Sequence, residues 1–174
     1  MTETKEQNEV VNVAVVDDDA NVRTGLKWLL DNVVGLRCSG TYATMSGAMC
    51  GLAEQPPDVL LLDVSLPDIS GLDGIRMVRT ELPSVKIIMH SNYDEEDKIV
   101  RSIKAGASGY VLKNASAPML HDAIFKVYRG DTVWPGGYVE SPSSKEPRPS
   151  LLGTVVEKLR TFLFAVRSHF GTSL

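Results

Sequence analysis

The chain has 174 residues, a formal net charge of −4, 43% apolar residues and two cysteines, enough for one domain with a small appendage and too apolar for a disordered protein. Cys38 and Cys50 come without ligand-spaced histidines, which argues against a disulfide framework or a zinc site and suits the cytoplasm, while the polar start MTETKEQNE is no signal peptide and no apolar run approaches the roughly 18 residues of a transmembrane segment. Residues 1–140 carry 13 Lys and Arg against 20 Asp and Glu, whereas residues 141–174 carry 5 against 2, so an acidic body, ill suited to nonspecific nucleic-acid binding, ends in a short basic tail.

Residues 1–9 are polar and expected to be disordered. Apolar periodicity then alternates between strand-like and helix-like. Val13–Val16 is a short β-branched run, and Val22, Leu26, Leu29 and Leu30 fall on one helix face. Leu36 to Tyr42 reads as a mixed strand at a sheet edge, and residues 44–54 as a small-residue helix that Pro56-Pro57 stops. Val59–Leu62 is a third strand, residues 72–81 a helix, and Val85–Met89 a fourth apolar run. Residues 94–105 read as a helix whose acidic start, Asp94, Glu95 and Glu96, suits a positive N-terminus. Ser108–Leu112 is the fifth strand, and Ser116 can cap a last helix carrying Leu120, Ala123, Ile124 and Val127.

Residues 132–150, rich in Gly, Ser and Pro, read as a linker. In the tail 151–174, Leu152, Val155, Val156, Leu159, Phe162, Leu163, Val166 and Phe170 form the stripe of an amphipathic helix. Such a helix could dock on a globular surface or a second copy or lie on a membrane surface; alternatively the tail is disordered or the remnant of a truncated module.

Strands and helices thus alternate strictly over about 120 residues. Strands without polar alternation are buried on both faces, as in a parallel sheet covered by helices. The expected fold is α/β, a doubly wound five-stranded parallel sheet of order 2-1-3-4-5. Asp17-Asp18-Asp19 stands where a Rossmann fold needs its Gly-rich turn, and no P-loop motif occurs.

What ends each strand carries the chemistry. The first runs into Asp17 and Asp18, the third into Asp63, the fourth through His90 to Ser91, and the fifth into Lys113. Carboxyl ends of such strands converge on one crevice at the topological switch point. Three gathered carboxylates repel, and Mg²⁺ with its preference for hard oxygen ligands would relieve this. A carboxylate beside a metal and an ammonium can act as a nucleophile toward phosphorus, with Ser91 donating to an equatorial oxygen.

Residues 10–131 resemble the receiver domain of bacterial two-component response regulators. The matching pieces are VAVVDDDANVRTGL (13–26), LLLDVSLPDISGLDG (60–74), HSNYDEED (90–97) and AGASGYVLK (105–113), and the last is most similar to the NarL/FixJ-type subfamily. The resemblance implies a flavodoxin-like receiver in which Asp63 is the phosphoacceptor. It implies that Asp17, Asp18, Asp63 and the Ser65 backbone carbonyl hold Mg²⁺, and that Ser91 and Tyr110 form the switch, with Lys113 at the phosphoryl group. Tyr110 also reads as a plain core aromatic. Pro67 and Gly71 match the turn after the acceptor strand. The implied donor is the phosphohistidine of a sensor histidine kinase, and the implied output is a changed face of the fourth helix, fifth strand and fifth helix, controlling a downstream protein or self-association. No enzyme activity is implied beyond the domain's own phosphorylation and dephosphorylation.

Three positions depart from the pattern. Asp19 stands where the subfamily often has His and reads as a helix cap; His90 replaces an apolar residue and reads as a packing or surface substitution; Asn92, beside the sensing hydroxyl, replaces a small residue and could tune phosphate lifetime with Ser65. Nothing after residue 150 matches the subfamily's LuxR-type helix-turn-helix, so DNA is not an expected partner of this chain; the alternative is the receiver part of a DNA-binding regulator whose output domain is absent from it. A hydrolase working through an aspartyl phosphate is disfavoured because Ser65 occupies the place of its second Asp.

Overall fold

The computed structural model of the protein describes residues 9–135. The expectations of a disordered start and of a tail helix over 151–174 lie outside the described residues, except for Glu9. Five strands and five helices alternate: β1 Val11–Val16, α1 Ala20–Asn32, β2 Leu36–Tyr42, α2 Met45–Glu54, β3 Val59–Leu62, α3 Gly71–Glu81, β4 Lys86–Ser91, α4 Glu96–Ala105, β5 Gly109–Leu112 and α5 Ala117–Tyr128. The strands are all parallel in the order β2-β1-β3-β4-β5, the flavodoxin-like receiver arrangement expected. No helix among the described residues is long and apolar enough to cross a membrane.

The alternation of side chains along each strand divides the core into two layers. On one face Val11, Val13, Val15, Val59, Leu61, Ile88 and Val111 pack with Leu26 and Leu30 of α1 and Leu120, Ala123, Ile124 and Val127 of α5. The other helices, through Met45, Ala48, Leu52, Ile75 and Val78, bury the opposite face, where a Cβ on Gly74 would meet Met45 Sδ and Leu62 Cδ2. Burial on both faces is why β3 reads as an unbroken apolar run.

Polar side chains fix the loops that carry the chemistry. Asp68, in the loop after β3, accepts from the Met45 and Ser46 N–H groups at 3.1 and 2.8 Å, tying that loop to the start of α2. Those N–H groups hold its carboxyl down at about 2. Arg79 of α3 donates from Nε to the Gly106 carbonyl at 2.8 Å, from Nη1 to the Val85 carbonyl at 3.0 Å and from Nη2 to Ser108 Oγ at 3.2 Å, clamping the end of α4.

Most boundaries lie within one or two residues of those expected, and three differences have a visible cause. β1 starts at Val11, because the Asn12 side chain is satisfied within the sheet by Asp58 Oδ2 at 3.1 Å. α4 starts at Glu96: Glu95 holds the N-cap with extended backbone, its carboxylate paired with Lys98 at 2.7 Å and not capping the helix. Residues 132–135, expected to open the linker, instead run beside β5, where Val133 bridges to Gly109.

Candidate functional site

The register builds the site. Val16, Leu62 and Met89 are aligned neighbours across β1, β3 and β4, so the next residues, Asp17, Asp63 and His90, form a row at the carboxyl ends. Lys113 follows β5 directly, its N–H donating to the Ser91 carbonyl at 2.8 Å. Its ammonium enters the row from the side, with Nζ 2.7 Å from Asp17 Oδ2 and 3.0 Å from Asp63 Oδ2. Burial is the largest influence on Lys113 and pushes its pKa down, but the hydrogen bonds and charges of Asp17 and Asp63 together outweigh it and hold the ammonium above its ordinary value.

Asp17, Asp18 and Asp63 offer carboxylate oxygens that all lie within 4.8 Å of one another; Asp17 and Asp63 are buried and Asp18 is exposed. Three carboxylates face one ammonium, which leaves net negative charge in a small volume lined by hard oxygen donors. That donor set fits a divalent cation such as Mg²⁺. The cluster borders a pocket of about 580 Å³ that Asp18, Asp63, Ser65, Asn92, Tyr93 and Lys113 line. Ser65 contributes its N–H to Asp63 Oδ1 at 3.3 Å.

Ser91 and Tyr110 do not line this pocket. Both are buried, and one intervening residue links them: Tyr93 N–H donates to Ser91 Oγ at 3.2 Å, and the Tyr93 carbonyl accepts from the Tyr110 hydroxyl at 2.7 Å. Burial pushes the Tyr110 phenol up, so it stays a donor. His90 is buried within the row, and its Nδ1 has no partner. Burial, then the Lys113 cation, push it down to about 4 against the opposing pull of Asp17, so it packs as a neutral ring. Asp19 caps α1, accepting from Asn21 N–H at 2.8 Å.

Two contributors escaped sequence reasoning. Arg23, one turn into α1, donates from Nη1 to the Asp17 and Asp18 carbonyls at 2.7 and 2.9 Å and so fixes the acidic loop. Tyr93 acts through its backbone, which no side-chain pattern reports; Lys98 Nζ lies over its ring, 3.2 Å from the centroid.

Comparison with known proteins places this geometry. The profile of the response regulator receiver domain matches residues 13–125. The chain belongs to that family. The chain is similar to the response regulator protein VraR of Staphylococcus aureus, with 27% identity over 162 residues, 92% of this chain and 78% of that protein. A two-component response regulator of the LuxR family from Aurantimonas superposes on the receiver with a TM-score of 0.68 at 26% identity, over 72% of this chain and 89% of that one. The receiver domain of NarL from Mycobacterium tuberculosis superposes with a TM-score of 0.67 at 25% identity, over 70% and 98% of the two chains.

Proposed function

We propose that this receiver takes a phosphoryl group onto Asp63 from the phosphohistidine of a sensor histidine kinase, and that the modification alters the α4-β5-α5 face to control a partner protein or self-association. The observation that carries this reading is the buried Asp63 carboxylate, held through one oxygen by Lys113 and the other by the Ser65 N–H, at the wall of an open acidic pocket. These two bonds orient the nucleophile. A carboxylate oxygen forms the new P–O bond as the donor's P–N bond breaks, the electron pair leaving with the imidazole. The Lys113 ammonium follows the charge that develops on the phosphoryl oxygens. Asp17, Asp18, Asp63 and the Ser65 carbonyl would hold Mg²⁺, which when bound neutralises further charge there. A cytoplasmic setting suits the free thiols of Cys38 and Cys50. The chain's only catalysis is then of its own phosphorylation and dephosphorylation.

The phosphoryl group brings roughly −2 charge and new acceptor oxygens. When the Ser91 hydroxyl turns toward it, the Tyr93 N–H loses its acceptor, and movement of the Tyr93 peptide is passed through its carbonyl to the Tyr110 hydroxyl. A local electrostatic event thereby biases a two-state surface. The test is labelling with acetyl phosphate. Mg²⁺ should support incorporation, EDTA should prevent it, and reductive trapping should map the acyl phosphate to Asp63. Label on another residue, or labelling indifferent to EDTA, rejects the reading.

Asn92 stands at the pocket wall, next in sequence to Ser91. Its amide can hold a water against the acyl phosphate, so Asn92→Ala should lengthen the phosphate half-life several-fold. Equal half-lives for the two proteins, measured by loss of label, remove this role.

A further inference from the structure

The chain does not leave the domain at the end of α5. Val133 N–H donates to the Ser108 carbonyl at 3.3 Å, and the Val133 carbonyl accepts from Tyr110 N–H at 2.7 Å, so residues 131–135 lie as a strap along β5. Gly109 leaves the room: a Cβ there would stand 3.1 Å from the Val133 carbonyl oxygen and 3.3 Å from Val127 Cγ2. One step along the register sets Trp134 beside Tyr110 on the same face of the sheet. Trp134 is only 7% exposed. With Tyr110, Leu112 and Met119 it lines a cavity of about 330 Å³.

Tyr110 is therefore held from two sides. Its hydroxyl is bound to the Tyr93 carbonyl, on the side of the acidic pocket, and its N–H to the strap. The strap hangs from β5 and the residue before it by two backbone hydrogen bonds and one ring, next to unfilled space. Docking of the strap therefore depends on the burial of the Trp134 ring beside that space.

We propose that residues 131–135 are a latch read by the switch: displacement of Tyr110 undocks Trp134, and the signal leaves the receiver through Pro135 into the chain that follows. The latch rests on the reading of Asp63, Ser91 and Tyr110 given above. Coupling between two sites is reciprocal, so a docked strap also holds Tyr110, and through Tyr93 the Ser91 hydroxyl, in the arrangement described.

Trp134 can report on itself. The sequence holds two tryptophans, and the other, Trp28, is 68% exposed on α1, so Trp28→Phe in the full chain leaves Trp134 as the sole emitter. Acetyl phosphate with Mg²⁺ should shift its emission to the red and raise its acrylamide quenching constant about twofold or more, as an undocked population replaces a docked one. The same chain carrying Asp63→Asn should show neither change. Full labelling of Asp63 with unchanged emission and quenching overturns the latch and leaves the phosphoacceptor reading standing. A response that survives Asp63→Asn also overturns it. A chain that takes no label from any donor overturns the phosphoacceptor reading itself, and the latch with it.

Discussion

Asp63→Asn leaves the chain folded and takes its phosphoryl labelling down by at least about 10³-fold, the scale expected when a nucleophile that forms the covalent intermediate is removed. The amide keeps the shape of the carboxylate, but its nitrogen lone pair is delocalised and its oxygen carries no full charge. The fold survives because Lys113 retains Asp17 as an ion-pair partner at 2.7 Å. Loss of the 3.0 Å pair with Asp63 is offset by relief of repulsion among three clustered carboxylates. Net stability should stay within about 1 kcal/mol of the parent. Urea unfolding and acetyl phosphate labelling of the same preparation check both halves. Label that persists in a folded variant would falsify the assignment of Asp63.

Gly71→Ala should carry the largest stability cost of any glycine-to-alanine change among the described residues. Gly71 opens α3 directly after its Ser70 cap, and its N–H donates to the Val64 carbonyl at 2.9 Å. A Cβ there would run into the Asp63 carbonyl oxygen and stand 2.8 Å from Val64 Cα. Both obstacles are backbone, so neither can rotate away. The glycine is needed for space and not for an unusual φ. Accommodating the methyl means pushing α3 off the loop that presents Asp63, at a cost of about 3 kcal/mol, and labelling should fall with it. Gly25→Ala in α1 is the control: nothing lies within 4 Å of its Cβ, and the substitution should stabilise by about 0.5–1 kcal/mol. Chemical denaturation of the two variants should move the midpoint in opposite directions. A Gly71→Ala chain as stable as the parent would show that α3 can yield.

Both the sheet and the acidic site are legible in the sequence for one physical reason. Unbroken apolar runs such as Val59–Leu62 declare a two-sided sheet, and right-handed crossovers then leave the strand ends on one edge. Asp17, Asp63 and Lys113 converge because of where they follow strands, so their meeting can be inferred without coordinates. What stays hidden is carried by groups that every residue possesses or by long-range partners. The Tyr93 backbone joins Ser91 to Tyr110 whatever side chain it bears. Asp68 caps a helix that begins 23 residues before it. Arg23 reads as an ordinary helical charge until its guanidinium is seen on the Asp17 and Asp18 carbonyls. The strap was hidden differently: the Gly, Ser and Pro content of 132–150 masks the β-branched and aromatic pair Val133-Trp134, a local signal for a strand.

The Arg79 clamp gives α4 the mechanics of a lever. Its C-terminal end is pinned through the Gly106 carbonyl, while its N-terminal end follows the Glu95 N-cap position without a side-chain capping bond, and Ser102 is its only fully buried residue. A helix of ten residues is about 15 Å long, so a tilt of about 10° around the pinned end swings the other by roughly 3 Å. That is the end adjoining Tyr93. A displacement of a side chain's width in the loop above Asp63 can thus be absorbed by rotating a rigid rod about a fixed fulcrum, with every helical hydrogen bond intact, and the exposed face of the rod presents the rotation to whatever binds there.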